Sequence, residues 1–539
     1  MKQVITRFIV LFLSLILING CNTSDKNTET NNVIPFPNSY TNLTGNNFLL
    51  DDSLYFTVSD ESDEQLQKIV QDYIDVINTQ LSLDISQRYV DDVNGSEKSI
   101  QFKLIEEDEA SESYHLSIDA NNVELSANSH HGLFNGIQTL KQLMFVTEQP
   151  SELAALTIDD QPQLAYRGLM LDVGRHFFSV EQIKKTLDLM ALYKLNTFHW
   201  HLTDDQGWRI EINKYPLLTT IGSYRQQTMV GKNFNPYVGD NTPHYGFYSQ
   251  EDIREVVQYA KERFITVIPE IDMPGHMSAA LAAYPELACT EGPFVVPTYW
   301  GIFSDILCPS ETTFEFVENV LLEVMELFPS EYIHIGGDEV PITRWQNSEL
   351  AQQVMQTNNL QNEDELQGYF YERVSDFLEQ HDRKAIGWDE IQNKGLKNKT
   401  TVMVWHEQLD VIKAVGSGHQ VILTPPEFTY INYYQGDQST EPLAQCCMVT
   451  LKKVYQFEPL INDLSEEEKL LVLGAQGSMW TEYIQTNEHL EYMLLPRLLA
   501  LSEVLWTNQE LKNWTAFQEK LPLHTKNLDN LNFNYRKLN

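Results

Sequence analysis

The segment YIHIGGDE (332–339) sets a short apolar run, two glycines and two adjacent carboxylates in series. The run has the length and composition of a buried strand. The glycines let the backbone turn tightly and let another group approach closely. Asp338 and Glu339 therefore fall where a buried strand ends, not on a solvent face. Seven runs of the same kind surround this one: LMLDV (169–173), TFHWHL (197–202), TVIPEI (266–271), KAIGW (384–388), TVMVW (401–405), QVILT (420–424) and VLGAQ (472–476). Between them, VEQIKKTLDLMALYKL (180–195) and QEDIREVVQYAKERF (250–264) carry the apolar period of amphipathic helices. Strands alternating with helices predict the α/β class, a (β/α)8 TIM barrel over 156–510. The spacer between the fifth and sixth runs is short for a helix, which makes the second half the weaker match. A last helix is expected from about 488 to 506, with 511–539 as a C-terminal tail.

Residues 33–155 read differently. SIQFKLI (99–105) and YHLSIDANNVELSA (114–127) alternate as strands do, and the second reads as a hairpin turning at Asn121-Asn122. Helical stretches are expected at 62–81 and 131–146; in the latter Leu133, Ile137, Leu140 and Leu143 share a face. This is a small α+β domain.

The chain has 539 residues, 42% of them hydrophobic, enough for a large domain and a companion. Residues 1–20 read as a lipoprotein signal peptide: Lys2 and Arg7 precede an apolar core at 8–18 too short to span a bilayer. Ile18-Asn19-Gly20-Cys21 resembles a bacterial lipoprotein box, so cleavage before Cys21 and lipidation of its thiol would tether the chain to a membrane through the polar stretch 21–32. The expected location is the cell envelope, lipid-anchored. The net charge of −39 becomes −41 once Lys2 and Arg7 are removed. Such a surface repels nucleic acid and suits a neutral substrate. Outside the cytoplasm Cys289 and Cys308 are a disulfide candidate closing a Gly/Pro-rich loop, with free buried thiols as the alternative. Cys446 and Cys447 are adjacent, which strains any bond between them. No cysteine or histidine spacing suggests a zinc site; no metal and no cofactor are expected. Nothing in the sequence sets an oligomeric state.

In a barrel of this type, function gathers past the C-terminal ends of the strands. Nearly every run here is followed by charged or aromatic residues: Asp172 and Arg175, Asp204 and Asp205, Asp272 and His276, Asp338 and Glu339, Trp388 and Asp389, Trp405 and His406, Tyr430, Trp480 and Glu482. Flat apolar rings with one polar handle suit the faces of a sugar. Glycoside cleavage needs a protonated carboxylic acid beside the leaving oxygen, and a neighbouring carboxylate and burial would both raise the pKa of such an acid. Two adjacent residues cannot flank one scissile bond at the roughly 5–9.5 Å that paired carboxylates require. Either a distant acid such as Glu482 is the nucleophile, or a 2-acetamido sugar supplies its own carbonyl oxygen.

The stretch 166–506 resembles glycoside hydrolase family 20, the β-N-acetylhexosaminidases. The matching segments are RGLMLDVGRHF (167–177), HWHLTDDQGWRIEI (199–212), PEIDMPGH (269–276), HIGGDE (334–339), GWDE (387–390), MVWH (403–406), YIN (430–432) and MWTEY (479–483), and they come in the family's order. Residues 33–155 resemble the small domain that precedes that family's barrel. The resemblance implies exo-action on terminal N-acetylhexosamine of glycans, with retention and substrate assistance. It implies Glu339 as general acid and base, Asp338 as the group orienting the acetamido N–H, and Tyr430 as donor to the attacking carbonyl oxygen. Trp388, Trp405 and Trp480 would wall the acetamido pocket, Arg175 and Glu482 would bind hydroxyls, and Asp204 and His276 would tune Glu339. The family usually has Asp where this chain has Asn432, which bears on affinity and on the gluco/galacto preference. Loops 226–247 and 289–309 are expected to shape the mouth.

Two other classes share some of these features. His199-x-His201 puts two imidazoles on one strand face, as metal-dependent amidohydrolases do, but no later His or Lys completes a binuclear site, so buried structural histidines are expected. A non-catalytic glycan-binding protein would keep the aromatic wall and lose the acid, yet both Asp338 and Glu339 are present.

Overall fold

Alternation along each strand decides what the barrel contains. The computed structural model describes residues 31–538 apart from 52–53, 61, 90–97, 106–110, 150 and 395–399. The signal peptide, Cys21 and the tether up to residue 30 lie outside the described residues. Eight strands run in order: β1 (Tyr166–Asp172), β2 (Thr197–Asp204), β3 (Thr266–Ile271), β4 (Tyr332–His334), β5 (Lys384–Trp388), β6 (Thr401–Val404), β7 (Val421–Leu423) and β8 (Val472–Met479). Each pairs parallel with the next, and β8 returns to β1 through Tyr166 opposite Gly474, so the sheet is closed. On β2, Phe198, Trp200 and Leu202 face outward into the main core under the helices, which leaves His199 and His201 inward. On β3, Val267 and Ile271 do the same and turn Ile268 and Glu270 inward. Inside, Tyr166, Ile268, Ile386, Trp388, Met403 and Ile422 fill the lumen. Each fully buried aliphatic side chain contributes about 1.5–3 kcal/mol.

The barrel helices start on side chains suited to capping their free amides. Ser179, Ser249, Ser310 and Asn362 each accept from a backbone N–H of the first turn. After β5 the described residues form only a 3-10 turn at Asp389–Lys394, as the short spacer foreshadowed. The expected helix 488–506 is two helices, Asn487–Leu494 and Arg497–Trp506. Pro496 has no N–H to donate and breaks the run.

The small domain is a seven-stranded sheet, in order 39–42, 156–160, 114–118, 122–127, 99–104, 55–58 and 86–89. Helices Glu64–Leu81 and His130–Phe145 cover it. The hairpin 114–127 is antiparallel, and its turn is held by Asp119, whose Oδ1 accepts from Asn121 N and Asn122 N at 2.7 and 2.9 Å. The boundary expected at 155 falls later, because Leu156–Asp160 is the strand between 39–42 and 114–118. The two domains share Trp506, whose ring belongs to the small domain's core. Its Nε1 donates to Asp160, which also accepts from Tyr114 at 2.7 Å and pairs with Lys194 at 3.2 Å.

The expected tail is also corrected. Trp514–Asn530 is a helix that buries Phe517, Leu521, His524 and Leu528. Lys520 Nζ donates to Val33 O at 2.9 Å and His524 Nε2 lies 2.7 Å from Asn32 O, so this helix clasps the start of the folded body.

Candidate active site

The carboxylate pair is built by backbone geometry. After β4 the chain passes through Gly336 (φ 66°) and Gly337 (φ 105°), conformations that L side chains resist. A Cβ on Gly336 would stand 1.7 Å from Asp272 Oδ1, and that same oxygen accepts from Gly337 N at 3.1 Å. Asp272, on the loop after β3, therefore fixes the turn that presents Asp338 and Glu339. Glu339 itself is held at φ 50°, a strained position for a side-chain residue.

Six groups from the C-terminal ends of β1–β4 form a relay of charge. Arg175 Nη2 pairs with Asp204 Oδ2 at 2.9 Å, His276 Nδ1 lies 3.5 Å from Asp204 Oδ1 and 3.0 Å from Asp205 Oδ2, and His276 Nε2 lies 3.4 Å from Glu339 Oε2 and 3.8 Å from Asp338 Oδ2. Burial alone would lower the pKa of His276, but Asp204, with the bonds to Asp205 and Glu339, holds it well above the ordinary value. The imidazolium in turn holds Glu339 below the usual carboxylate range, against the smaller upward effect of burial. Asp338 moves the other way: burial raises it, Glu270 and Glu339 add to the rise, and His276 opposes it. Asp272 is raised well above its ordinary value by burial first and Asp338 second. The expectation that its neighbour and burial would raise Glu339 is thus corrected: the contact with His276 lowers it, and it is Asp338 that is raised.

Beneath the pair, Glu270 is a buried hub. It accepts from Trp388 Nε1 at 2.9 Å and lies 2.5 Å from His201, 2.9 Å from His199 and 3.0 Å from His334. His199 and His201 are accordingly structural, buried on the inward face of β2. Leaving one member of such a buried network unpaired costs about 3–5 kcal/mol. The ligand atoms of His199, Glu270 and His334, or of Asp204, Asp205 and His276, come close enough to hold a metal; Glu270 lies 2.9 Å from His199 and 3.0 Å from His334, and Asp205 lies 3.0 Å from His276.

Aromatic rings from the C-terminal ends of β5–β8 lie near one another. Trp388 and Trp480 lie 5.9 Å apart at 40°, Trp405 and Tyr430 stack at 6.4 Å and 19°, and Arg175 sits over Trp480 at 5.0 Å. Trp405 Nε1 donates to Glu390 Oε2 at 3.1 Å. Burial, with Asp338 and Asp389 nearby, pushes Glu390 up to about 9, so it is a neutral acid near pH 7. Burial also pushes Glu482 up to about 7. Among the described residues three buried acceptor oxygens here have no hydrogen-bond partner: Asp338 Oδ1, Asn432 Oδ1 and Glu482 Oε2. Buried acceptors are costly to leave unpaired, so each of the three is suited to receive an N–H or O–H donor from a ligand.

Cys289 and Cys308 are disulfide-bonded, while Cys446 and Cys447 are not bridged. The sequence reading missed Glu270 and Glu390, and it missed Gln206, whose Oε1 accepts from Arg175 Nε at 3.1 Å.

A closed (β/α)8 barrel with an acidic pair and a tryptophan wall at its C-terminal mouth defines the class: this is the architecture of glycoside hydrolases. The chain belongs to glycosyl hydrolase family 20, whose catalytic-domain model matches residues 164–509 and whose domain 2 model matches residues 30–161. It is 42% identical to a beta-hexosaminidase of Porphyromonas gingivalis over 94% of this chain and 64% of that one. It is 40% identical to a beta-hexosaminidase of Vibrio furnissii over 72% of this chain and 64% of that one. The chain thus spans 64% of the length of these curated relatives. Its fold is similar to a crystal structure of the family 20 exo-β-N-acetylglucosaminidase of Vibrio harveyi with N-acetylglucosamine (TM-score 0.81, 30% identity, 94% of this chain and 78% of that one).

Proposed function

We propose that the protein is an exo-acting β-N-acetylhexosaminidase that releases terminal β-linked N-acetylglucosamine or N-acetylgalactosamine from glycans with retention, the substrate's own acetamido group acting as nucleophile. The carrying observation is the placement of Asp338 and Glu339 side by side with unpaired buried acceptors inside a tryptophan wall. Adjacent carboxylates cannot work from opposite faces of the sugar. In this reading the acetamido carbonyl oxygen attacks the anomeric carbon while Glu339 gives its proton to the departing glycosidic oxygen, leaving an oxazolinium ion. Water then attacks the anomeric carbon, Glu339 takes its proton, and the ring opens. Asp338 accepts from the acetamido N–H as that nitrogen gains positive charge, and Tyr430 donates to the carbonyl oxygen. Trp388, Trp405 and Trp480 enclose the acetamido methyl. Arg175, Asn432 and Glu482 bind hydroxyls, and Asp204 and His276 set the charge of Glu339. The relatives named as beta-hexosaminidases and the Vibrio harveyi complex support this assignment.

A conventional nucleophile is disfavoured, because Glu482 near pKa 7 is largely protonated at mildly acidic pH. The test is a substrate panel. Glycosides with a 2-acetamido group should be cleaved, 2-hydroxy analogues should not, and a thiazoline mimic of the intermediate should inhibit strongly. Efficient cleavage of the 2-hydroxy analogues would overturn substrate assistance. Comparing gluco and galacto substrates then reads the effect of Asn432.

We further propose that lipid on Cys21 holds the protein at the cell envelope. Cells making the natural chain should carry it in the membrane fraction and cells making Cys21→Ser should release it; equal fractionation would remove the anchor.

A further inference from the structure

Apolar side chains gather in water on the two loops that border the site. Tyr237, Tyr299 and Ile302 are 38%, 42% and 58% exposed, and Phe303 is half-buried beside them. They are not scattered. Tyr237 meets Tyr299 edge-on at 6.2 Å, and Tyr299 meets Phe303 at 5.2 Å, so three rings stand in series. The hairpin Met229–Phe234/Tyr237–Gly239 supplies the first ring and loop 289–309 the other two. The two loops are joined: Met229 N donates to Thr298 O, and Tyr237 Oη donates to Thr298 Oγ1, both at 2.8 Å.

The row is anchored to the site on both sides. Tyr299 O accepts from Gln206 Nε2 at 3.0 Å, and Gln206 accepts from Arg175. Next along the chain, Trp300 is buried and packs on His176 at 5.6 Å and on Tyr483 at 6.4 Å, the neighbours of Arg175 and Glu482. At its other end Asp305 pairs at 2.8 Å with Arg344, five residues beyond Glu339. The Cys289–Cys308 bond closes the base of the loop. The loop therefore crosses the barrel mouth from the hydroxyl-binding side to the acid side, and it carries its rings on the solvent face.

We propose that Tyr237, Tyr299 and Phe303 form a stacking platform for the sugar units that follow the cleaved bond, so that the protein prefers β-linked oligosaccharides to isolated terminal sugars. This rests on the reading of the site as a hexosaminidase. Pyranose rings present flat apolar C–H faces that pack on aromatic rings, and the stacking needs no charge. That suits a neutral glycan approaching a chain of net charge −39. Tyr299, at the centre of the row and tied to Arg175 through its own carbonyl, is the determining ring.

The experiment compares a β-1,4-linked N-acetylglucosamine trimer, which reaches the rim, with a thiazoline inhibitor, which fills only the terminal-sugar pocket. Tyr299→Ala should raise KM for the trimer about tenfold, the scale of one lost aromatic stack. It should leave kcat and the thiazoline inhibition constant unchanged, and Tyr299→Trp should keep the trimer KM of the natural chain. A trimer KM within twofold of the natural value in Tyr299→Ala overturns the platform. So does a parallel loss of thiazoline affinity, which marks a structural role only. A natural chain that neither binds thiazoline nor cleaves the trimer overturns the hexosaminidase reading itself, and the platform with it.

Discussion

Glu339→Gln should lower kcat on substrates with poor leaving groups by about 10²–10⁴-fold, the range a positioned general acid contributes. An oligosaccharide's alkoxide must be protonated as it departs. His276, held protonated by Asp204, stands 3.4 Å behind Glu339 and stabilises the carboxylate left once the proton has gone. An aryl glycoside whose phenolate leaves unaided should lose far less in its first step. The measurement is kcat for a β-linked disaccharide and for activated aryl glycosides, with natural and variant protein side by side. A loss of equal size on all of them would remove Glu339 from the acid role.

The second large effect concerns Asp338. Asp338→Asn should lower kcat/KM by about 10²–10³-fold, the scale of one lost group that stabilises transition-state charge. It should also change the pH profile. Burial raises the Asp338 pKa above its ordinary 3.8, so the carboxylate exists only above that raised value. Activity that needs the carboxylate must fall as pH drops through it, and asparagine, which does not titrate there, should abolish this acid limb. An acid limb that survives in the variant would assign it to another group.

Much of this was legible beforehand, for definite reasons. β1–β8 are buried on both faces, so their apolar runs stand out, and the polar residues that follow them mark the mouth. The tryptophan wall and the carboxylate pair were readable as strand-end residues. Elements that depend on long-range pairing were not. LTIDD at 156–160 belongs to the small domain through its pairing with 39–42 and 114–118, which nothing local in it announces. The helix Trp514–Asn530 carries Pro522 within it, which weakened its pattern. Glu270 was hidden by its place inside an apolar run, and Glu390 by its place in the short spacer after β5. The order of the proton affinities was beyond reach, since it depends on how closely His276, from the loop after β3, approaches a glutamate from the loop after β4.

The clasp made by the helix Trp514–Asn530 has a consequence for how the molecule is made. Val33 O waits for Lys520 Nζ, 487 positions later, and Phe36 O waits for Thr507, 471 positions later. A ribosome delivers those partners only when nearly all of the chain has emerged. Val33 and Phe36 thus lack these partners through most of synthesis, whereas Ile34 and Asn38 meet Gln142 and Asp160 far earlier, so the clasp is a late addition to a domain already begun.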